Sequence, residues 1–261
     1  MLPLLPLLVS TTAITGLALA ATTATATATA SNDPGCIPRS SGSLGFRLVV
    51  NVTDPSKDLT PAVHGRMFGL AHIGPAQNRA IASAGGINNG PIFFQNGTSA
   101  DAVFERTGVL TDGGGGDGPS RFPEALQYVT DQNDTDEEGA GVYVLAGGAG
   151  TGERLTRLTQ PYSYLTILGD AAVVSNFVVC PGTIPYYGNA TKFALVNWVQ
   201  ATRDATGTHV VVPDGCVAVN LVPQCASLEA LPDGAPYTHD FVQEVRCYDD
   251  VLAVDWSKYP Y

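Results

Sequence analysis

The chain is short of the groups that polyanions, membranes and most metals require. It carries 13 Lys and Arg against 24 Asp and Glu, a formal net charge of −11. Such an excess repels nucleic acid and anionic membranes, and no basic stripe offsets it. Beyond residue 20 no apolar run reaches the ~18 residues of a membrane span, so no membrane association is expected of the mature chain. No Cys-x-x-Cys pair occurs, and the five cysteines and four histidines lack ligand spacing, so no metal site is expected. A Gly-x-Ser-x-Gly elbow is also missing. No catalytic residue and no cofactor is therefore assigned.

What is present begins with an address. Residues 1–20 are apolar, hold no charged side chain, and end in Ala18-Leu19-Ala20, a small-x-small cleavage signal. A Thr/Ala tract follows over residues 21–30. These features predict a secretory signal peptide over 1–20 and a low-complexity linker over 21–43. A signal anchor is the other reading of such a segment, but Ser10, Thr11, Thr12 and Thr15 make it a poor span. The tail from Asp255 to Tyr261 is too polar for a lipid-anchor signal. The expected location is extracellular. Four sequons agree with it, placing N-glycans on Asn51, Asn96, Asn133 and Asn189.

The rest of the chain reads as a single β-rich domain over residues 44–261. Residues 46–52 alternate, with Phe46, Leu48, Val50 and Val52 on one side and Asn51 on the outer face. Further strand-like runs are 66–72, 92–94, 142–145, 165–168, 173–179, 193–199, 209–212, 217–222, 241–248 and 252–256. Gly, Pro, Asp or Asn separates most of them. Residues 193–199 are apolar on both faces, as in a central strand covered on both sides. The better short helix candidates are 76–84 and 124–129. The fold class expected is all-β, or β-rich with one or two short helices, in a sandwich or barrel-like arrangement.

Five cysteines in an oxidising compartment imply two bridges and one odd thiol. Cys216 and Cys225 would close a short loop, which chain entropy makes worth roughly 2–3 kcal/mol. Cys247 alternates onto the face of Phe241 and Val245, and Cys180 ends an apolar strand. The expected pairs are Cys216–Cys225 and Cys180–Cys247, with Cys36 unpaired.

Glycine- and acid-rich stretches come close to several motifs and meet none. Residues 142–152 run from a strand into clustered glycines but do not fit G-x-G-x-x-G, so a hairpin or loop is expected. Residues 112–118 miss the Asp position of a calcium repeat. Residues 131–139 resemble an EF-hand start until Asp136 takes the glycine position. Solvated acidic loops account for both. His239 and Asp240, with Glu244 on the same strand face as Asp240, could supply acid–base groups, although no nucleophile accompanies them. Aromatic rings at Tyr162, Tyr164, Tyr186, Tyr187, Trp198, Trp256, Tyr259 and Tyr261 could stack on sugars. Tyr186 and Tyr187, between Pro185 and Gly188, are the ligand-binding candidates.

From Phe46 to Pro61, and from His72 to Asn78, the strings FRLVVNVTDPSKDLTP and HIGPAQN resemble a family of secreted ascomycete proteins. So do VPDGC (residues 212–216), LVPQC (221–225) and HDFVQEVRCY (239–248). The family is a domain of unknown function, and the resemblance spans residues 44–256. It implies a fungal, secreted, single-domain protein and brings no catalytic residues. Two functional classes follow. One is a non-catalytic β-domain that binds a glycan, a cell-wall polymer or a host protein. The other is a secreted hydrolase acting on polysaccharide or ester through carboxylates and histidine. Two carboxylates facing each other across an aromatic-lined cleft would favour the second.

Overall fold

The computed structural model describes residues 38–86, 89–103, 107–114, 121–129, 140–146, 155–158, 165–168, 177–199, 201–204 and 207–259. Strands dominate. In chain order they are β1 (Ser41–Ser43), β2 (Gly45–Val52), β3 (Met67–Gly74), β4 (Gln77–Ser83), β5 (Phe93–Asn96), β6 (Gly108–Gly114), β7 (Phe122–Val129) and β8 (Ala140–Ala146). Then come β9 (Leu155–Leu158), β10 (Leu165–Leu168), β11 (Phe177–Thr183), β12 (Lys192–Trp198), β13 (Ala201–Asp204), β14 (Gly207–Val210), β15 (Val217–Ala226), β16 (Val242–Gln243) and β17 (Val245–Cys247). The α-helix described is short, α1 (Ser99–Val103). The chain is all-β, and Pro34–Tyr261 forms one compact unit.

Antiparallel ladders run from β2 to β15, β11, β12, β8, β7, β6 and β5, and Phe46 opposite Phe93 returns the ring to β2. The sheet therefore closes on itself like a barrel, which leaves these strands few free edges. The β3–β4 hairpin bridges the ring, pairing with β2 at Met67, with β8 at residues 77–79 and with β12 at Ile81.

Closure explains the alternation in the sequence. Phe46, Leu48, Val50 and Val52 of β2, Val217, Val219 and Leu221 of β15, and Val142 and Val144 of β8 share one interior with Phe68 and Phe93. Phe93 meets Phe68 edge-on at 5.6 Å. The opposite face of β2 is not solvated. Val49 packs with Met67, Val222, Tyr248 and Val251 beneath Trp256, whose indole N–H donates to the Val251 carbonyl at 3.0 Å.

That second layer corrects the placement of Asn51. It is 2 % exposed, opposite Asn220 of β15, so a glycan on its amide has no room in this fold. The run 76–84 is not helical: Gln77–Ser83 form β4, with Ala80 and Ala82 as small inward residues where the hairpin crosses the core. Residues 124–129 likewise lie in β7. Tertiary pairing overrides the local helix preference of both. Residues 252–256 form a turn leading into a 3-10 segment, not a strand.

The bridges use four of the expected cysteines with partners exchanged. Cys180 joins Cys216 and Cys225 joins Cys247. The reason is length. Cys216 immediately precedes β15, Val217–Ala226, and Cys225 lies near the far end of that strand. Nine steps at ~3.3 Å put their Cα atoms roughly 30 Å apart, far beyond disulfide reach. Cys36 lies outside the described residues.

One corner is closed by a side chain instead of a ladder. β4 leaves β8 after Arg79 and joins β12 at Ile81, while β12 turns to β8 at Asn197. Arg79 is 7 % exposed at this three-strand junction. Its guanidinium donates to the carbonyls of Val142 at 2.7 Å and Val196 at 2.6 Å, and to the Asn197 side-chain oxygen, and it lies 4.9 Å from the Tyr143 ring centroid.

Candidate functional site

β11 and β12 are joined by a 3-10 turn, Pro185–Tyr187, whose geometry is imposed locally. Pro185 presets the first helical position, and Tyr187 and Gly188 donate backbone N–H groups to Ile184 and Pro185. Gly188, at φ +75°, ends the turn in a conformation that favours glycine. Ile184 is buried with Ala71 and Leu195 and anchors the loop. The rings are left outside, Tyr186 60 % and Tyr187 41 % exposed. They meet each other at 5.3 Å, Tyr187 rests on Phe193 at 5.1 Å, and His72 of β3 meets Tyr186 edge-on at 5.6 Å. The result is a row of rings held from below by an apolar cluster. Asn189 is exposed beside it. His72 had no distinguishing signal in the sequence, since only the β3–β4 hairpin brings it to the loop.

His72 faces Asn78 across the β3–β4 ladder, and the Asn78 amide donates to both carboxylate oxygens of Glu124 at 3.3 and 3.2 Å. Glu124 is 2 % exposed. Burial lifts its carboxyl above the ordinary range, and the charge of His72 opposes that rise. A carboxyl whose pKa is higher folded than unfolded binds more protons in the native state between the two values. Stability then falls as pH rises through that window. Glu124→Gln keeps an acceptor for Asn78 and removes the charge. It is expected to melt above the wild type at neutral pH, with the gap closing below about pH 4, where both carboxyls are neutral. Thermal melts across pH check this; equal melting temperatures at pH 7 would contradict it.

A second constellation lies on the β6 side. Tyr237 donates its phenol to Asp112 at 2.9 Å, and the His239 Nε2 lies 3.1 Å from the other oxygen of the same carboxylate. Phe94 packs edge-on against the His239 ring at 4.9 Å. Burial and the hydrogen bond to Asp112 both raise the Tyr237 phenol pKa, so Tyr237 stays a donor. His239 is thus turned away from its sequence neighbour Asp240, which instead accepts from the Thr238 hydroxyl at 2.9 Å. Asp240 and Glu244 do not share one strand face, because Glu244 falls in the break between β16 and β17. Both line a groove with residues 97–99 and Phe241. Asp112 was visible in the sequence only as the start of a glycine-rich stretch, and its pairing with His239 spans 127 positions.

Residues 142–146 form most of β8, and the glycine-rich residues that follow, 147–152, lie outside the described residues, as do 131–139 with Asn133. Asn96 is half-buried at the end of β5. Among the described residues no group of three or more His, Cys, Asp or Glu could hold a metal ion, and no helix is long and apolar enough to cross a membrane.

Comparison with known proteins adds a family and a relative. Antigenic protein SchS34 of Stachybotrys chartarum is 34 % identical over 227 residues, which cover 85 % of this chain and 93 % of the relative. No solved structure matches. Residues 43–225, from the end of β1 to Cys225 on β15, match the family described as Domain of unknown function (DUF7907). The match takes in the β2–β15 ladder, the β3–β4 hairpin and the Tyr186–Tyr187 turn, so the chain, which also has a fungal relative in SchS34, belongs to the DUF7907 family.

Proposed function

We propose that the chain is a secreted, non-catalytic β-domain that binds a glycan or cell-wall polymer through Tyr186 and Tyr187. The observation that carries this reading is the exposure of both rings on a turn fixed by Pro185, Ile184 and Gly188. Rings held in place lose little side-chain freedom on binding, and their faces suit sugar C–H groups while the phenols hydrogen-bond to hydroxyls. Two disulfides support an oxidising compartment. The relative's printed name, an antigenic protein, agrees with exposure to a host. N-glycans at Asn189 and Asn96 belong to the same reading.

Replacing Tyr186 and Tyr187 together by Ala is expected to abolish binding to a cell-wall polysaccharide while changing stability by less than about 1 kcal/mol, since exposed rings contribute little to folding. Pull-down of the secreted chain on insoluble fungal and plant polysaccharides, with thermal melts in parallel, checks both halves. A double variant that binds like the wild type would place the site elsewhere.

One observation favours the hydrolase reading, the Asp112–His239 pair, in which a carboxylate orients an imidazole. Turnover of a polysaccharide or ester panel, lost in Asp112→Asn or His239→Gln, would select it over binding.

A further inference from the structure

Beside Asp112, between β2, β6 and the segment 90–92 that leads into β5, lies a cleft of about 290 Å³. Arg47 of β2 and Arg121, just before β7, line it with Asp112 and Glu229, over a floor of Ile92 and Leu228. The chain carries 24 acidic side chains against 13 basic ones, so two guanidiniums in one small concavity stand out from the overall charge. Arg47 is the informative member. Its backbone sits in the longest ladder of the barrel, opposite Gln224, and its side chain is half-buried. Its Nε donates to the Gly90 carbonyl at 3.2 Å, which sets the plane of the guanidinium. Among the described residues no carboxylate pairs with it, and its Nη groups have no hydrogen-bond partner.

A guanidinium held by Nε with its Nη edge open presents the fork that matches a carboxylate bidentately. The two acids in the cleft do not compete for it equally. Asp112 is already engaged by the Tyr237 phenol and His239, while Glu229 is exposed at the rim, where solvent and salt screen its charge. What Asp112 and Glu229 retain is acceptor capacity, suited to hydroxyl groups. Donors for a carboxylate at one side and acceptors for hydroxyls at the other describe a hydroxylated carboxylic acid.

We infer that this cleft binds a single uronic acid residue, with its carboxylate on Arg47 and its ring hydroxyls toward Asp112 and Glu229. The site uses none of the residues of the tyrosine row, so it stands or falls separately from that proposal.

Titration of the isotope-labelled mature chain with D-glucuronate, D-glucose and acetate, followed by NMR, tests this. Glucuronate is expected to shift the Arg47 Nε–H and the backbone amides of residues 111–113. Glucose and acetate, each lacking one half of the recognition, are expected to bind about tenfold more weakly or not at all. Arg47→Met keeps the apolar stem and is expected to weaken glucuronate binding by about tenfold or more. If that variant does not fold, Arg47→Lys keeps the charge but not the planar fork, and the same loss is expected of it. Equal binding of glucose and glucuronate, unchanged affinity in the folded Arg47 variant, or no shift at any glucuronate concentration would each overturn the inference.

Discussion

Replacing Arg79 by Met is expected to destabilise the protein by about 3–5 kcal/mol, comparable to breaking a buried charged network by removing one partner. The side chain fits the volume, so the loss is one of hydrogen bonding. At the corner where β4 passes from β8 to β12, the Arg79 guanidinium donates to the carbonyls of both Val142 and Val196. Each buried acceptor left without a donor costs about 1–3 kcal/mol, and the Asn197 side chain adds a third. Arg79→Lys retains a charge and up to three donors but cannot lie flat on Tyr143, so about half of the loss is expected to return. Urea denaturation with a fixed slope measures both variants; a methionine variant within about 1 kcal/mol of the wild type would show that the strands satisfy each other without it.

Breaking either disulfide is expected to cost about 2–5 kcal/mol. The Cys180–Cys216 bridge spans 36 positions and Cys225–Cys247 spans 22, and chain entropy makes each worth about 3–4 kcal/mol at these lengths. Within a pair, Cys180→Ser and Cys216→Ser should cost similar amounts and the double variant little more, because the second change has no bond left to break. Across pairs, Cys180→Ser and Cys247→Ser should be additive. The second bridge also holds β17 beside β15, where the Tyr248 N–H donates to the Pro223 carbonyl and the Cys225 N–H to the Tyr248 carbonyl, both at 2.9 Å, so its loss should loosen the C-terminal cover of Val49 and Met67 as well. Peptide mapping without reduction, combined with the melts, decides the connectivity. Additivity between Cys180 and Cys216 would refute it.

The alternation of Phe46, Leu48, Val50 and Val52 was legible in the chain, and so was the class of fold that alternating strands between turn residues produce. The four bridged cysteines were legible as a set. Their pairing was partly legible too: once residues 217–222 read as a strand, Cys216 and Cys225 are too far apart to bond. The exposure of Tyr186 and Tyr187 followed from a local pattern, Pro before and Gly after, because turn geometry is set by neighbours in sequence.

Other features were decided only by tertiary structure. Asn51 alternates as an outward residue should, but period two reports which side of a strand a residue is on, not what covers that side. Here Tyr248, Val251 and Trp256, from far along the chain, cover the outer face of β2 around Val49. Residues 76–84 carry a helix-forming composition, and only closure of the barrel around the hairpin makes small alternating alanines into a strand. Arg79, Glu124 and the Asp112–His239 pair gave no local signal, since each depends on partners 46 to 127 positions away. A sequence specifies local backbone preference and which face is apolar. Which charges meet, which acids are buried and which arginine is left with an open fork are consequences of ring closure, which brings together strands that share no neighbourhood in the chain.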